Sequence, residues 1–190
     1  MSPKPVILDV DPGHDDAVAL MMACGAPSLD LLAVTTVAGN VSLAKTTHNA
    51  LRILSLIGRA DVPVAAGSSQ PLERPLRTAE DIHGESGLDG PVEIPAATFG
   101  ADERGAVRLI ADTLRASTEP VTLVPVGPLT NIALLLREHP ELKDRIARIS
   151  LMGGSIGLGN TTPAAEFNIY VDPEAAREVF ESGLPITMCG

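Results

Sequence analysis

Four aspartates lie within eight residues near the start of the chain: Asp9, Asp11, Asp15 and Asp16. They stand where an aliphatic run, Val6–Val10, gives way to a Pro-Gly pair and then to a helical pattern. A helix macrodipole favours acids in a first turn, which explains Asp15 and Asp16. It does not explain Asp9 and Asp11, which alternate with aliphatic residues in the predicted strand. Because such close carboxylates repel one another, a bound hard cation is the better explanation.

The ligand types around these acids limit which cation would bind. A high density of oxygen ligands favours Ca²⁺ or Mg²⁺, whereas Zn²⁺ prefers nitrogen and sulfur ligands. Successive residues on a helix point about 100° apart, so Asp15 and Asp16 cannot both face one ion in the same way. One of the two is therefore expected to bind the ion and the other to hold a water.

Strand and helix patterns alternate along the chain and must position these acids. Aliphatic or β-branched runs predict six strands: Val6–Val10, Leu31–Val37, Val62–Ala65, Val121–Val126, Ile149–Met152 and Pro185–Met188. Apolar residues at i, i+3 and i+4 predict five helices: Asp15–Cys24, Leu43–Ile57, Glu103–Ser117, Asn131–Arg137 and Pro173–Ser182. This alternation predicts one α/β domain over residues 1–190, with an open, mainly parallel sheet and helices on both faces.

Polar and glycine residues collect after the predicted strands. They are Asp11, Gly39-Asn40, Gly127–Asn131 and Gly153-Gly154. Ligands of open parallel sheets bind beyond the carboxyl ends of the strands, so these residues are expected to share one edge. Two long polar connections, Gly67–Pro95 and Gly153–Asn168, are expected to contribute to the same site.

The bulk composition excludes several classes of partner. A formal charge of −10 disfavours broad attraction to nucleic acid or to an anionic membrane. Aromatic residues make up only 2% of the chain, too few for a platform of stacked bases. We find neither a signal-peptide pattern nor an apolar run long enough to span a membrane, so we expect a cytoplasmic protein with a neutral or cationic ligand.

The acidic segment, Asp-x-Asp-Pro-Gly-x-Asp-Asp-Ala at Asp9–Ala17, resembles the signature of the inosine–uridine preferring nucleoside hydrolases. Further segments agree with that family in order and spacing: Thr35–Asn40, Ile82–Gly87, Leu123–Asn131, Leu151–Gly154 and Ala165–Glu174. The similarity covers essentially the whole chain. It implies a Rossmann-like core and hydrolysis of the N-ribosidic bond of purine or pyrimidine ribonucleosides to ribose and free base.

The resemblance also implies roles for the acidic cluster. Asp11 and Asp16 would bind Ca²⁺ through their carboxylates, and Val126 would bind it through its backbone carbonyl. Asp15 would be the general base that takes a proton from a calcium-bound water. We interpret Asp9 as a supporting carboxylate that orients a ligand or a helix terminus.

The same resemblance assigns substrate contacts to Asn40, His83, Asn160, Glu166, Phe167 and Asn168. Asn160, Glu166 and Asn168, expected on a polar loop, would bind the 5′- and 3′-hydroxyls. Asn40 would touch the metal site or the ribose, although a loop Asn that satisfies a local turn is an equal alternative. His83 would contact the base or gate the pocket, and Phe167 would line it. The family usually forms dimers or tetramers, so a homo-oligomer is expected.

The chain departs from the family pattern in one respect. Members continue beyond the last predicted strand to a His-Asp pair, which supplies another calcium carboxylate and a proton donor for the leaving base. Neither residue is present in these 190 residues. We therefore expect a truncated nucleoside hydrolase domain, weakly active or inactive unless another segment completes it.

Two other classes remain alternatives. A ribose- or nucleoside-binding module would keep the fold without turnover. The Asp9-x-Asp11 pair is also similar to that of aspartyl-nucleophile phosphatases, but Gly13 replaces their Thr or Val. The glycine-rich segment Gly153–Gly159 lacks the Gly-Lys-Ser/Thr ending of a phosphate loop.

Overall fold

A computed structural model of the chain describes residues 2–91 and 93–190. Met1 and Val92, which the predicted domain 1–190 includes, lie outside the described residues. The strands are β1 (Lys4–Val10), β2 (Leu29–Thr36), β3 (Val64–Ala66), β4 (Val121–Pro125), β5 (Ile146–Met152) and β6 (Ile186–Cys189). They form one sheet in the order β3-β2-β1-β4-β5-β6, and every neighbouring pair is parallel.

The α-helices occupy the connections between the strands. They are α1 (His14–Gly25), α2 (Leu43–Leu56), α3 (Glu80–His83), α4 (Ala106–Ala116), α5 (Thr130–Glu138), α6 (Phe167–Val171) and α7 (Pro173–Phe180). A 3₁₀ turn, Pro140–Arg145, precedes β5. The last of these helices is capped by Asp172, whose side chain accepts a hydrogen bond from the Ala175 N–H, and Pro173 follows the cap.

Helices cover both faces of the sheet. Successive residues of a buried strand point to opposite sides, so one strand contributes to the core on each face. Leu8 of β1 belongs to the core that contains Leu20 of α1 and Leu54 of α2. The adjacent Ile7 belongs to the other core, which contains Ile132 of α5 and residues of α4 and α7. The predicted α/β class with an open parallel sheet is confirmed.

The structure corrects several predicted boundaries. Helix α4 begins at Ala106 rather than at the predicted Glu103, since the Asp102 carboxylate holds the Arg104 N–H in a local turn. The third strand begins at Val64 rather than Val62. Helices α3 and α6 were not predicted. Phe167 and Asn168, which were expected in a polar connection, lie in helix α6. Four- and five-residue helices are too short to show a 3.6-residue period.

The strand order changes direction at β1, since β2 follows on one side of it and β4 lies on the other. Such a topological switch point leaves a crevice beyond the carboxyl ends of the two central strands. Within the described residues, none of the helices has the length and apolar composition required to cross a membrane.

Candidate functional site

Asp11 lies in the crevice, at the end of β1, and is completely buried. Glycines flank its carboxylate: a Cβ at Gly39 would overlap Oδ2, and a Cβ at Gly127 would lie 2.5 Å from Oδ1. The Asn40 N–H donates to Oδ2 at 2.7 Å, whereas the buried Oδ1 has no hydrogen-bond partner in the described part of the chain. A buried carboxylate oxygen without a donor is costly, so this atom is suited to bind a cation or to carry a proton.

Asp15 and Asp16 occupy the first turn of α1 but face different surroundings. Asp16 is buried and accepts hydrogen bonds from the N–H groups of Asp11 (3.4 Å) and Gly13 (3.2 Å). Asp15 is exposed and lines a cavity. The structure thus keeps Asp16 beside Asp11 and leaves the Asp15 carboxylate free to meet a ligand.

Asp9 is buried and lies two residues before Asp11. Its Oδ1 accepts hydrogen bonds from Thr35 Oγ1 (2.6 Å) and from Asn131 Nδ2 (2.8 Å) in the first turn of α5. Because it is enclosed in this way, Asp9 is not presented to a ligand as the nucleophile of a phosphatase would be. Its contact with the start of α5 is compatible with a supporting role.

Burial changes the acidity of these aspartates. It raises the pKa of Asp9 to about 7, although the hydrogen bonds from Thr35 and Asn131 lower that pKa. Burial, followed by repulsion from Asp15, raises the pKa of Asp16 to about 7. The pKa of Asp11 is well above its usual range because of burial and repulsion from Asp16. A cation between these groups would reverse the balance, since it favours their charged forms.

The backbone at Val126 lies beside the end of β1, where its N–H donates to the Asp9 carbonyl at 2.9 Å. The Val126 carbonyl accepts a hydrogen bond from Asn168 Nδ2, also at 2.9 Å. The same amide group donates to the Met152 carbonyl at 3.1 Å. Asn168 therefore joins the ends of β4 and β5 at the crevice.

Glu166 is the N-cap of α6 and is buried. Its carboxylate accepts hydrogen bonds from the N–H groups of Asn168 (2.9 Å), Ile169 (3.3 Å) and Gly154 (2.9 Å). Asn160 Oδ1 accepts one from the Phe167 N–H at 2.8 Å. These side chains hold the connection after β5 in place as well as facing the cavity.

Another wall comes from the segment Glu80–Asp89, here called the His83 loop. The Ala79 N–H before it donates to the Asn40 carbonyl at 2.9 Å. Nδ1 of His83 lies 3.4 Å from Nδ1 of His14, and the opposite nitrogen of His14 contacts the Asp89 carbonyl. Contacts with both Asn40 and the start of α1 hold His83 close to the acidic residues.

Together these segments enclose a cavity of about 300 Å³. Eight of the eleven predicted site residues line it: Asp15, Asn40, His83, Val126, Asn160, Glu166, Phe167 and Asn168. The other three, Asp9, Asp11 and Asp16, are buried. A larger hollow of about 720 Å³ shares Val126 with this cavity but is lined mainly by aliphatic side chains and includes none of the acidic cluster. The chemistry therefore places the functional site at the smaller cavity.

The residues present fit a hard cation. Asp11 and Asp16 are buried carboxylates next to a strand end that carries backbone carbonyls. Asp11 Oδ1, like Oδ2 of the neighbouring Asp9, has no hydrogen-bond partner among the described residues. No group of three or more His, Cys, Asp or Glu side chains arranged for a metal is found in residues 2–91 and 93–190. A cation here would need further oxygen ligands from backbone, substrate or water, as Ca²⁺ and Mg²⁺ commonly accept.

The whole sequence from residue 6 to residue 190 matches the family described as "Inosine-uridine preferring nucleoside hydrolase". The chain belongs to that family. Metal dependence is general among these nucleoside hydrolases. The resemblance noted at Asp9–Ala17 is thereby confirmed at the level of the family.

Relatives and solved structures agree with this family. Pyrimidine-specific ribonucleoside hydrolase RihA of Photobacterium profundum is 63% identical over 98% of this chain and 60% of the relative. The protein of that name from Escherichia coli O7:K1 is 58% identical, with the same coverage. The purine-preferring ribonucleoside hydrolase from Gardnerella vaginalis is 39% identical, with a TM-score of 0.92 over 97% of this chain and 60% of that one. The chain thus spans about 60% of the length of these nucleoside hydrolases.

Sequence reasoning missed the residues that support the acids. Thr35 and Asn131 lie inside segments that resemble the family, but no role was predicted for either. A Thr in a buried strand and an Asn in a helix first turn were the available signals. Neither could identify Asp9 as the partner, because Asn131 is 122 residues away from it.

Proposed function

We propose that this chain carries the catalytic centre for hydrolysis of the N-ribosidic bond of ribonucleosides. The observation that carries the proposal is the division within the acidic segment. Asp11 and Asp16 are buried together, while Asp15 is open to a cavity lined by amide and carboxylate side chains. This arrangement suits a cation site and a separate base that face the same substrate.

We propose Ca²⁺ as the cation, held by the carboxylates of Asp11 and Asp16 and by the carbonyl of Val126. When bound, Ca²⁺ would make a coordinated water more acidic and would hold vicinal hydroxyl groups. The unpartnered Oδ1 of Asp11 and the glycines that enclose its carboxylate support this assignment.

The chain's own residues would activate the water and bind the ribose, and the leaving base would take its proton from solvent. Asp15, with its exposed carboxylate, would accept the proton of the attacking water. Asn40, Asn160, Glu166 and Asn168 would bind the ribose hydroxyls. Positive charge develops on the sugar ring as the bond to the base breaks, and the nearby carboxylates supply the negative potential that stabilises it.

The base would lie against His83 and Phe167, which both line the cavity. We propose pyrimidine ribonucleosides, such as uridine and cytidine, as the preferred substrates. Relatives about 60% identical to this chain carry the name pyrimidine-specific ribonucleoside hydrolase. The solved structure described as purine-preferring is less similar, at 39% identity.

The decisive experiment measures ribose released from uridine, cytidine and inosine, with Ca²⁺ and with a chelator. We expect slow calcium-dependent release, faster from uridine than from inosine, that is lost in Asp15→Asn and Asp11→Asn. Asp30→Asn is the matched control, because Asp30 is exposed and pairs with Pro5 at the opposite end of the sheet. Release that ignores Ca²⁺, or that survives in Asp15→Asn, would contradict the proposal.

Binding of ribose or uridine without turnover would instead favour the binding module. The truncated single domain over residues 1–190, the homo-oligomer and the cytoplasmic location stay predictions. Sedimentation of the purified chain would measure its oligomeric state.

A further inference from the structure

We propose that Asn49 is a positioning residue that holds the His83 loop against the acidic turn, Asp11–Asp16. Asn49 lies in α2, outside the cavity, and is only 1% exposed. Its Nδ2 donates to the Pro12 carbonyl at 3.2 Å and to the Ser86 carbonyl at 2.8 Å. The Pro12 carbonyl belongs to the acidic turn and the Ser86 carbonyl to the His83 loop, which are two walls of the cavity. Each carbonyl is 37 residues from Asn49 in sequence.

The chemistry of the carboxamide suits this role. Its NH₂ group has two hydrogens, so one side chain can satisfy two separate carbonyls. Asp, Leu or Ala at this position would donate to neither, and the Pro12 carbonyl would lose a partner within the core. Asn49 thus satisfies a carbonyl in each of two segments and joins them.

Close packing at Gly87 supports the same conclusion. Gly87 has a φ of +84°, and a Cβ there would stand 3.1 Å from Asn49 Nδ2 and 3.3 Å from the Pro12 carbonyl. The turn after α3 therefore packs directly on both Asn49 and the acidic turn. A shift of Asn49 would therefore act on the backbone of both walls, to which it is hydrogen-bonded directly.

Each wall carries residues that face the cavity. The His83 loop presents Ile82 and His83, and the acidic turn presents Asp15 and holds Asp11 and Asp16. Asn49 touches none of these side chains in its hydrogen bonds, so it acts through the backbone that carries them. Its loss should loosen both walls at once, and not one alone.

Lys45 provides the matched control. It lies one turn earlier on α2 and its Nζ contacts Glu80 and the Glu85 carbonyl, which are both in the His83 loop. It has no hydrogen bond to the acidic turn and is half-buried. Lys45→Ala should therefore loosen the loop and leave the acidic turn unchanged.

The test is hydrogen exchange of the whole chain, read at the amides of Gly84–Asp89 and Gly13–Ala17. We expect Asn49→Leu to speed exchange at least about tenfold in both segments, with α4 and α5 unchanged, and Lys45→Ala to speed only the first. Exchange in Asn49→Leu that matches wild type, that changes in the loop alone, or that rises evenly along the chain would overturn the proposal.

A second variant guards against failure of Asn49→Leu to fold. Gly87→Ala displaces the loop from the opposite side and should speed exchange in the same two segments. Kinetics give an independent readout that rests on the proposed function: with uridine, Asn49→Leu should raise KM and lower kcat, whereas Lys45→Ala should raise KM alone. Equal kinetic effects of the two variants would count against the proposal. If the wild-type chain does not hydrolyse uridine, the proposed function fails and the exchange data decide the role of Asn49.

Discussion

Gly127→Ala is expected to weaken cation binding by disturbing Asp11 without altering any carboxylate. The new Cβ would stand 2.5 Å from Asp11 Oδ1 and 3.1 Å from Val37 Cγ1. Real Cβ atoms do not approach so closely, so either the carboxylate or the strand end must move. The oxygen that is displaced is the one without a hydrogen-bond partner.

The size of the effect follows from two contributions. Overpacking of a filled site costs about 1–3 kcal/mol of folding free energy. Displacing a metal ligand should raise the Kd for Ca²⁺ by about 100-fold, the upper end of the range for changes around a metal site. With Ca²⁺ at about 100 times the wild-type Kd, binding stabilises the wild type by about 2.7 kcal/mol but the variant by only about 0.4 kcal/mol.

The assay is urea unfolding with Ca²⁺ and with a chelator, together with calorimetric titration of Ca²⁺. Gly25→Ala is the control, because a Cβ at Gly25 meets no atom within 4 Å and should leave both the Ca²⁺ affinity and the stabilisation by Ca²⁺ unchanged. A Gly127→Ala chain that binds Ca²⁺ with wild-type affinity would refute the assignment of Asp11 Oδ1 to the cation.

Three further outcomes are expected. Asp15→Asn should lower kcat for uridine by about 10²–10⁴-fold and leave Ca²⁺ affinity unchanged, since Asp15 is exposed; calorimetry with the variant checks the second part. In chelator, the wild type should lose stability relative to Asp9→Asn as pH rises from about 4 to above 7, by up to about 4 kcal/mol. The reason is that a carboxyl group with a raised pKa in the fold stabilises the fold only while it is protonated. Urea unfolding across this pH range measures the difference between the two chains, and a constant difference would contradict the prediction. Glu166→Gln should cost about 0.5–2 kcal/mol and speed amide exchange at Gly154, since the amide cannot accept all the backbone hydrogen bonds; an unchanged rate at Gly154 would show that the cap is dispensable.

The two unpredicted helices mark where local patterns stop being informative. The alternation of strands and helices could be predicted, because buried strands and amphipathic helices differ in their apolar period. Helix α6 could not, since Phe167–Val171 spans little more than one turn. Its cap, Glu166, was predicted only as a substrate contact, although it binds three backbone N–H groups.

The sequence by itself determined the chemical groups and their chain positions: four acids at and after the end of the first strand, and amides after later ones. It also determined the family, because the matching segments keep their order and spacing. Only the tertiary structure decided that Asp16 is buried while Asp15 is open, since this depends on how α1 is rotated against the sheet. The partnerships of Asp9 with Asn131 and of Asn168 with the Val126 carbonyl were likewise decided by packing, because contacts across 122 and 42 residues have no local signal.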